Sequence, residues 1–188
     1  ATAGAMERSF VCTETGASTG LGVDGVSARP LARVRVLDFG LLTAGANTSA
    51  MLADLGADVI KIESGAYLDP FRVVGKPDNE DGWWNRSPQF RFTNRNKRGL
   101  ALNLKDPEGQ RIIRDLAKHC DVVVENFRRG VLDRAGLGYK DLSAANPRLV
   151  FAAISSQGDT GPERMNVSFG STLDATTGIA SLTGYEDE

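Results

Sequence analysis

Between Val34 and Glu63 the sequence reads as a strand, a helix and a second strand in about thirty residues. ARVRVLDFG places Val34, Val36 and then Leu37 on a strand that ends at Asp38 to Gly40. TAGANTSAMLADLG follows as a helix, with Ala50, Met51, Ala53 and Leu55 on its apolar side and Gly56 just past its end. ADVIKIE is the second strand. A helix joining two strands over so short a span implies a parallel pair with a right-handed crossover, which limits the chain to the α/β class.

The remainder keeps that rhythm after one interruption. Ser64 to Pro88 is a long connection holding Gly65, Pro70, Gly75, Pro77, Gly82, Trp83 and Trp84. Long ordered loops in compact domains are often functional, although the plainer role for the tryptophans is packing over a sheet edge. LALNL, Leu100 to Leu104, reads as a third strand. Asp106 then caps a helix with Pro107 first and Glu108 in its opening turn. Ile112, Ile113, Leu116 and Ala117 form the buried stripe, and Arg111 faces Asp115 at i,i+4. His119, the only histidine, falls in the last turn, where it suits the helix dipole better than it suits catalysis. The unbroken apolar run of DVVVE marks a strand buried on both faces. Short helices at Leu132 to Gly136 and Tyr139 to Asn146, a fifth strand in RLVFAAIS, a loop from Ser156 to Ser168 and a helix from Gly170 to Leu182 complete the pattern. The expectation is an α/β sheet, mainly parallel and covered by helices, over residues 31–188. Residues 1–30, rich in Ala, Gly, Ser and Thr, read as a flexible leader or arm.

Charge and cysteine usage narrow the function classes. Lys and Arg total 22 against 24 Asp and Glu, a net charge of -2 that argues against a nucleic-acid or membrane-surface protein. No apolar run approaches the length of a transmembrane helix, and the first residues lack a signal-peptide pattern. Cys12 and Cys120 lie too far apart in sequence to suggest a disulfide framework, so a reducing cytoplasm is the expected setting.

Two short patterns fall in the leader: GLGVDG (Gly20 to Gly25) fits G-x-G-x-x-G, and GASTG (Gly16 to Gly20) fits G-x-S-x-G around Ser18. Neither has the strand before it and the helix after it that its chemistry requires. No C-x-x-C or H-E-x-x-H suggests a metal. What remains is a set of cationic and amide groups at strand ends. Asn96, Lys97 and Arg98 precede the third strand and Lys105 follows it. Asn126, Arg128 and Arg129 follow the fourth, with Arg134 one short helix later. If the third and fourth strands are neighbours, Lys105, Asn126, Arg128 and Arg134 form one anion pocket at the carboxyl edge of the sheet. Solvated surface charge is the competing explanation.

Several motifs in fixed order carry a resemblance: VLDFG…ADLGADVIKIE, NKRGLALNLKDPEG, DVVVENFRRGVLDRAGLGY, LSAANPRLVFAAISSQG and GIASLTGY. Together, over about Val34 to Tyr185, they resemble the class III CoA-transferase family, which includes formyl-CoA transferase, carnitine CoA-transferase and alpha-methylacyl-CoA racemase. The resemblance implies a Rossmann-like domain, coenzyme A bound as a substrate thioester, acyl-CoA and carboxylic acid substrates, and an interlocked homodimer or a related partner subunit, with no metal. It implies CoA contacts at Thr43 and Ala44 after the first strand, at Leu102, Asn103, Leu104 and Lys105, at Asn126, Phe127 and Arg128, and at Arg134. The chain departs from the family pattern at Thr43, often Gln in relatives, and at Ser64, often Arg.

The family nucleophile is an aspartate that attacks the thioester to give an acyl-aspartyl anhydride, which released CoA converts to an aspartyl-CoA thioester. The resemblance places it near Phe169 and Gly170 or beyond, where Asp174 is the nearest carboxylate and a helix-face role competes. The His-Asp pair of the racemase is missing there. The family chain is about twice as long, so the expectation is an N-terminal CoA-binding piece whose fold is incomplete without the second half. The closing stretch also resembles the benzylsuccinate CoA-transferase subfamily, which leaves open a non-catalytic CoA-binding or scaffolding subunit.

Overall fold

Five parallel strands form one sheet in the order β3-β2-β1-β4-β5. They are β1 (Arg35–Asp38), β2 (Asp58–Glu63), β3 (Arg98–Ala101), β4 (Val122–Glu125) and β5 (Val150–Ala153). The structure is a computed structural model and describes residues 29–74 and 82–184. The two leader patterns, Cys12, Gly75, Pro77 and Tyr185 lie outside the described residues.

The sequence grows outward from β1 in both directions, so successive right-handed crossovers place helices on opposite faces. On one face α1 (Ala44–Asp54) covers Val36, Val59 and Val124. On the other, α3 (Pro107–Ala117), α4 (Val131–Arg134) and α5 (Tyr139–Ala145) enclose Leu37, Phe39, Ile62 and Val123 with Ile113, Leu132 and Leu142. The adjacent residues Val36 and Leu37 in β1, and Val123 and Val124 in β4, therefore face different layers, and these four are fully buried. Each such aliphatic side chain contributes roughly 1.5–3 kcal/mol on removal from water.

Several expectations hold in detail. Asp106 accepts a hydrogen bond from Glu108 N, with Pro107 first in α3. Arg111 and Asp115 pair at 2.9 Å. Gly56 follows α1 with φ +100, a conformation open to glycine. Others shift. On α1 the buried side is Gly45, Ala46, Ser49, Ala50 and Ala53, while Met51 and Leu55 are exposed. The third strand starts at Arg98 and stops at Ala101 because Asn103 Oδ1 accepts from Lys105 N and turns the chain. His119 lies past the end of α3. The expected helix Gly170–Leu182 is broken by Gly178, which has φ +81, into α6 (Gly170–Thr176) and α7 (Ile179–Leu182).

The connection after β2 is organised by Arg72. Its guanidinium takes both oxygens of Glu63 at 2.8 and 2.7 Å, and donates to Trp84 O and Asn85 Oδ1, each at 2.8 Å. It also stacks 3.5 Å from the Phe90 ring centroid at the start of α2 (Pro88–Thr93). Trp83 and Trp84 sit edge to face in a 3-10 turn, half-buried, in a packing role.

Candidate functional site

The turn from β1 into α1 is gripped along its backbone by side chains from elsewhere. Asp38 Oδ1 accepts from Gly40 N at 2.7 Å, and Lys61 Nζ donates to Gly40 O at 2.6 Å. Asn126 takes both polar groups of Leu41, accepting from N at 2.8 Å and donating to O at 2.9 Å. Asp69 Oδ1 accepts from Leu42 N at 3.4 Å, and Lys97 Nζ donates to Ala46 O at 2.7 Å. Leu42 has φ +55, a conformation L-residues hold only when their surroundings impose it. The turn also needs two glycines. A Cβ on Gly40 would sit 2.3 Å from Gly45 C, and one on Gly45 would sit 2.5 Å from Asn126 Oδ1.

The charges that hold this turn are themselves buried. Lys97 Nζ is 2.9 Å from Asp38 Oδ2 and also donates to Asn94 Oδ1 at 3.0 Å. Lys61 Nζ lies 3.3 Å from Asp69 Oδ2, a buried atom without an aligned hydrogen bond. Burial brings the Lys97 amine down to about 8, partly offset by Asp38. Burial alone would push Glu63 up, but the Arg72 fork overrules it and leaves Glu63 below its ordinary value. Glu125 is held above its ordinary value by burial.

A cleft of about 190 Å³ opens at the carboxyl ends of β1, β4 and β5. It sits where the strand order reverses around β1, the usual ligand crevice of such sheets. One wall is Ala44 with Asn126 to Arg129. The facing wall is Ile154 to Gln157, Arg164 and Asn166 to Ser168. Arg129 is engaged by Asp159. Among the described residues no carboxylate belongs to the lining.

Of the residues singled out from sequence, Ala44, Asn126, Phe127, Arg128 and Arg129 meet at this cleft. Thr43 adjoins it as the residue before α1. Leu102, Asn103, Leu104, Lys105 and Arg134 do not line it. The single pocket expected from neighbouring third and fourth strands is corrected by the strand order. β2 and β1 lie between β3 and β4, so the strands that precede Lys105 and Asn126 run roughly 14 Å apart, three strand spacings. Leu102 and Leu104 pack on the core, and Lys105 and Arg134 are exposed. Asn96, Lys97 and Arg98 form no anion pocket: they pair with Asp54, Asp38 and Asp58. Asp174 is exposed on α6, beside Leu173, which does line the cleft.

Gly40, Gly45, Lys61 and Asp69 were not foreseen from sequence. A lysine inside the apolar strand VIKIE was the readable signal, as was the Gly40–Gly45 spacing across a strand-to-helix turn.

A model of CoA-transferase family III matches residues 31–188. The chain is 41% identical over 161 residues to succinyl-CoA–D-citramalate CoA-transferase of Chloroflexus aurantiacus, covering 85% of this chain and 39% of that protein. It is 39% identical over 158 residues to the beta subunit of succinyl-CoA–L-malate CoA-transferase of the same organism, covering 82% and 37%. A CAIB/BAIF family protein from Brucella suis superposes with TM-score 0.76 at 34% identity, covering 86% of this chain and 43% of that one. The chain thus spans about two fifths of the length of these relatives.

Proposed function

The chain belongs to CoA-transferase family III, and we propose that it supplies the CoA-binding part of an enzyme that moves CoA between carboxylic acids through an acyl-CoA thioester. The observation that carries this reading is the cleft at the reversal of strand order, where Ala44, Asn126, Phe127 and Arg128 converge. Arg128 is exposed at its rim and suited to a phosphate or carboxylate. Thr43, the Leu102 to Lys105 stretch and Arg134 are outer contacts for a ligand as long as CoA. The acids are dicarboxylates in this reading, supported by the succinyl, citramalate and malate in the names of the two relatives and by the cationic Arg128 and Arg164 of the lining.

Calorimetric titration of the full-length protein with acetyl-CoA, followed by an assay of transfer from succinyl-CoA to malate or acetate, tests the reading. Micromolar-range binding and faster transfer to the dicarboxylate are expected; absence of binding overturns it. A CoA-binding subunit that works with a partner is the second reading, favoured by the relative named a beta subunit and by the apolar Val167, Phe169, Ile179 and Leu182 exposed around α6 and α7. Transfer that appears only when a second chain is added would select it. Among the described residues no helix is long and apolar enough to cross a membrane, and a cytoplasmic setting fits the buried thiol of Cys120, pushed up to about 11 by burial.

A further inference from the structure

Four charged side chains, Asp38, Lys61, Asp69 and Lys97, are each at least 97% buried at the side chain. They lie beneath one short turn, on the α1 face of the sheet. A cluster like this is costly to bury and is weak evidence for stability alone. What the four groups share is their target: Gly40 N, Gly40 O, Leu42 N and Ala46 O, backbone atoms of the β1–α1 turn and of the first turn of α1. The same turn carries Thr43 and Ala44, and Ala44 lines the cleft.

We infer that the buried Asp38–Lys97 and Lys61–Asp69 pairs are a positioning device for the acyl-CoA site, fixing the Gly40–Ala46 turn in its binding shape only while Lys97 carries its proton. The inference rests on the CoA reading of the cleft. The count of donors gives the reason. Charged Lys97 offers three N–H groups to three acceptors, Asp38 Oδ2, Ala46 O and Asn94 Oδ1. The neutral amine offers two, so one acceptor in a dry site loses its partner and Asp38 loses its counter-charge. The charged groups facing Lys97 are Asp38 of β1, Lys61 of β2 and Asp69 of the following loop. α1 and the residue ending α2 add only the Ala46 carbonyl and the Asn94 amide oxygen. Asp38 and Asp69 favour the proton, while burial and Lys61 oppose it, which sets the loss near pH 8. These are positioning residues, since none of the four lines the cleft.

The test is calorimetric titration of the full-length protein with acetyl-CoA, which has no free thiol to ionise. Wild type and Lys97→Met are compared between about pH 7 and about pH 9.5. A site that binds only with Lys97 charged weakens by up to tenfold per pH unit above the amine's pKa. Wild-type affinity is therefore expected to fall about thirtyfold over this range. Lys97→Met, which never carries the charge, should bind at least about thirtyfold more weakly at pH 7 and show no change with pH. A flat wild-type profile, or a variant that keeps the wild-type slope, overturns the inference. Should Lys97→Met fail to fold, wild-type titrations near pH 8 in two buffers of different ionisation heat decide: a fraction of a proton taken up on binding supports it, and none overturns it. A wild type that does not bind acetyl-CoA even at pH 7 refutes the CoA reading itself, and this inference with it.

Discussion

Asn126 holds Leu41 by both of its backbone polar groups, its Oδ1 accepting from Leu41 N at 2.8 Å and its Nδ2 donating to Leu41 O at 2.9 Å. The side chain thereby ties the end of β4 to the turn after β1, within one wall of the crevice where a ligand would lie. Its amide is engaged within the chain, so its effect on a ligand passes through the placement of that turn. Asn126→Ala should cost about 2 kcal/mol of stability, from two neutral hydrogen bonds at about 1 kcal/mol each, and should weaken acetyl-CoA binding as well. Asn126→Asp keeps the acceptor for Leu41 N but sets a carboxylate against Leu41 O, so it should be at least as damaging. Urea denaturation of the two variants checks this; wild-type stability in both would refute the tie.

Gly45 stands on the other side of that tie. A methyl group there would approach Asn126 Oδ1 to 2.5 Å and Gly40 Cα to 2.6 Å. One of these neighbours is backbone, so the contact cannot be relieved by a rotamer change alone. Gly45→Ala should destabilise by about 1–3 kcal/mol, the usual cost of overpacking, even though Ala is the better helix former by about 1 kcal/mol. A melting temperature that rises in the variant would show that the turn has room to spare.

The Glu63–Arg72 pair predicts an acid limit. Glu63 is held below its ordinary carboxylate value by the Arg72 fork, against its own burial. A carboxylate depressed in the folded state contributes stability above its unfolded value, and that contribution disappears as pH falls through the folded value. The clamp on residues 63–72 should therefore be intact at neutral pH and be lost below about pH 4.5, the ordinary carboxylate range. Glu63→Gln should flatten the acid side of the stability curve. Arg72→Ala should cost about 3–5 kcal/mol at pH 7, because it leaves a buried carboxylate without its partner. Unfolding free energies measured from about pH 3 to about pH 7 separate these outcomes.

How far the sequence reached depends on the range of each interaction. The βαβ unit, the Asp106 cap and the doubly buried run of β4 were legible because each is set within a few residues. Strand order is not a local property. Third and fourth in sequence suggested neighbours, whereas two strands separate them, and that one fact divided the expected basic pocket. Lys97 looked like a rim cation beside Asn96 and Arg98, yet its amine is buried against Asp38. Charge alone does not reveal whether a side chain turns outward. Gly178 ended α6 early because a single left-handed residue outweighs the helical pattern around it. At the candidate cleft, Ala44, Asn126, Phe127 and Arg128, which the resemblance named, lie together on one wall. The facing wall from Ile154 to Ser168 stayed hidden in a loop without periodicity.

The separation of β3 from β4 has a measurable consequence for ligand binding. Arg128 lines the cleft after β4, while Lys105 follows β3 at the far side of β2 and β1. Removing a charged hydrogen-bonding partner of the ligand should cost about 1–3 kcal/mol of acetyl-CoA affinity, and Arg128→Ala should fall in that range. Lys105→Ala should cost less, since Lys105 does not line the cleft and its hydrated ammonium acts as a screened point charge. If the two side chains hold different parts of a long ligand, their effects should add, as they do for sites more than about 7–10 Å apart, within about 0.5 kcal/mol. The double variant, titrated with acetyl-CoA beside both single variants, measures this directly. A coupling energy above about 1 kcal/mol would mean that both cations meet one phosphate, so that the ligand draws together two strand ends that the free sheet keeps apart.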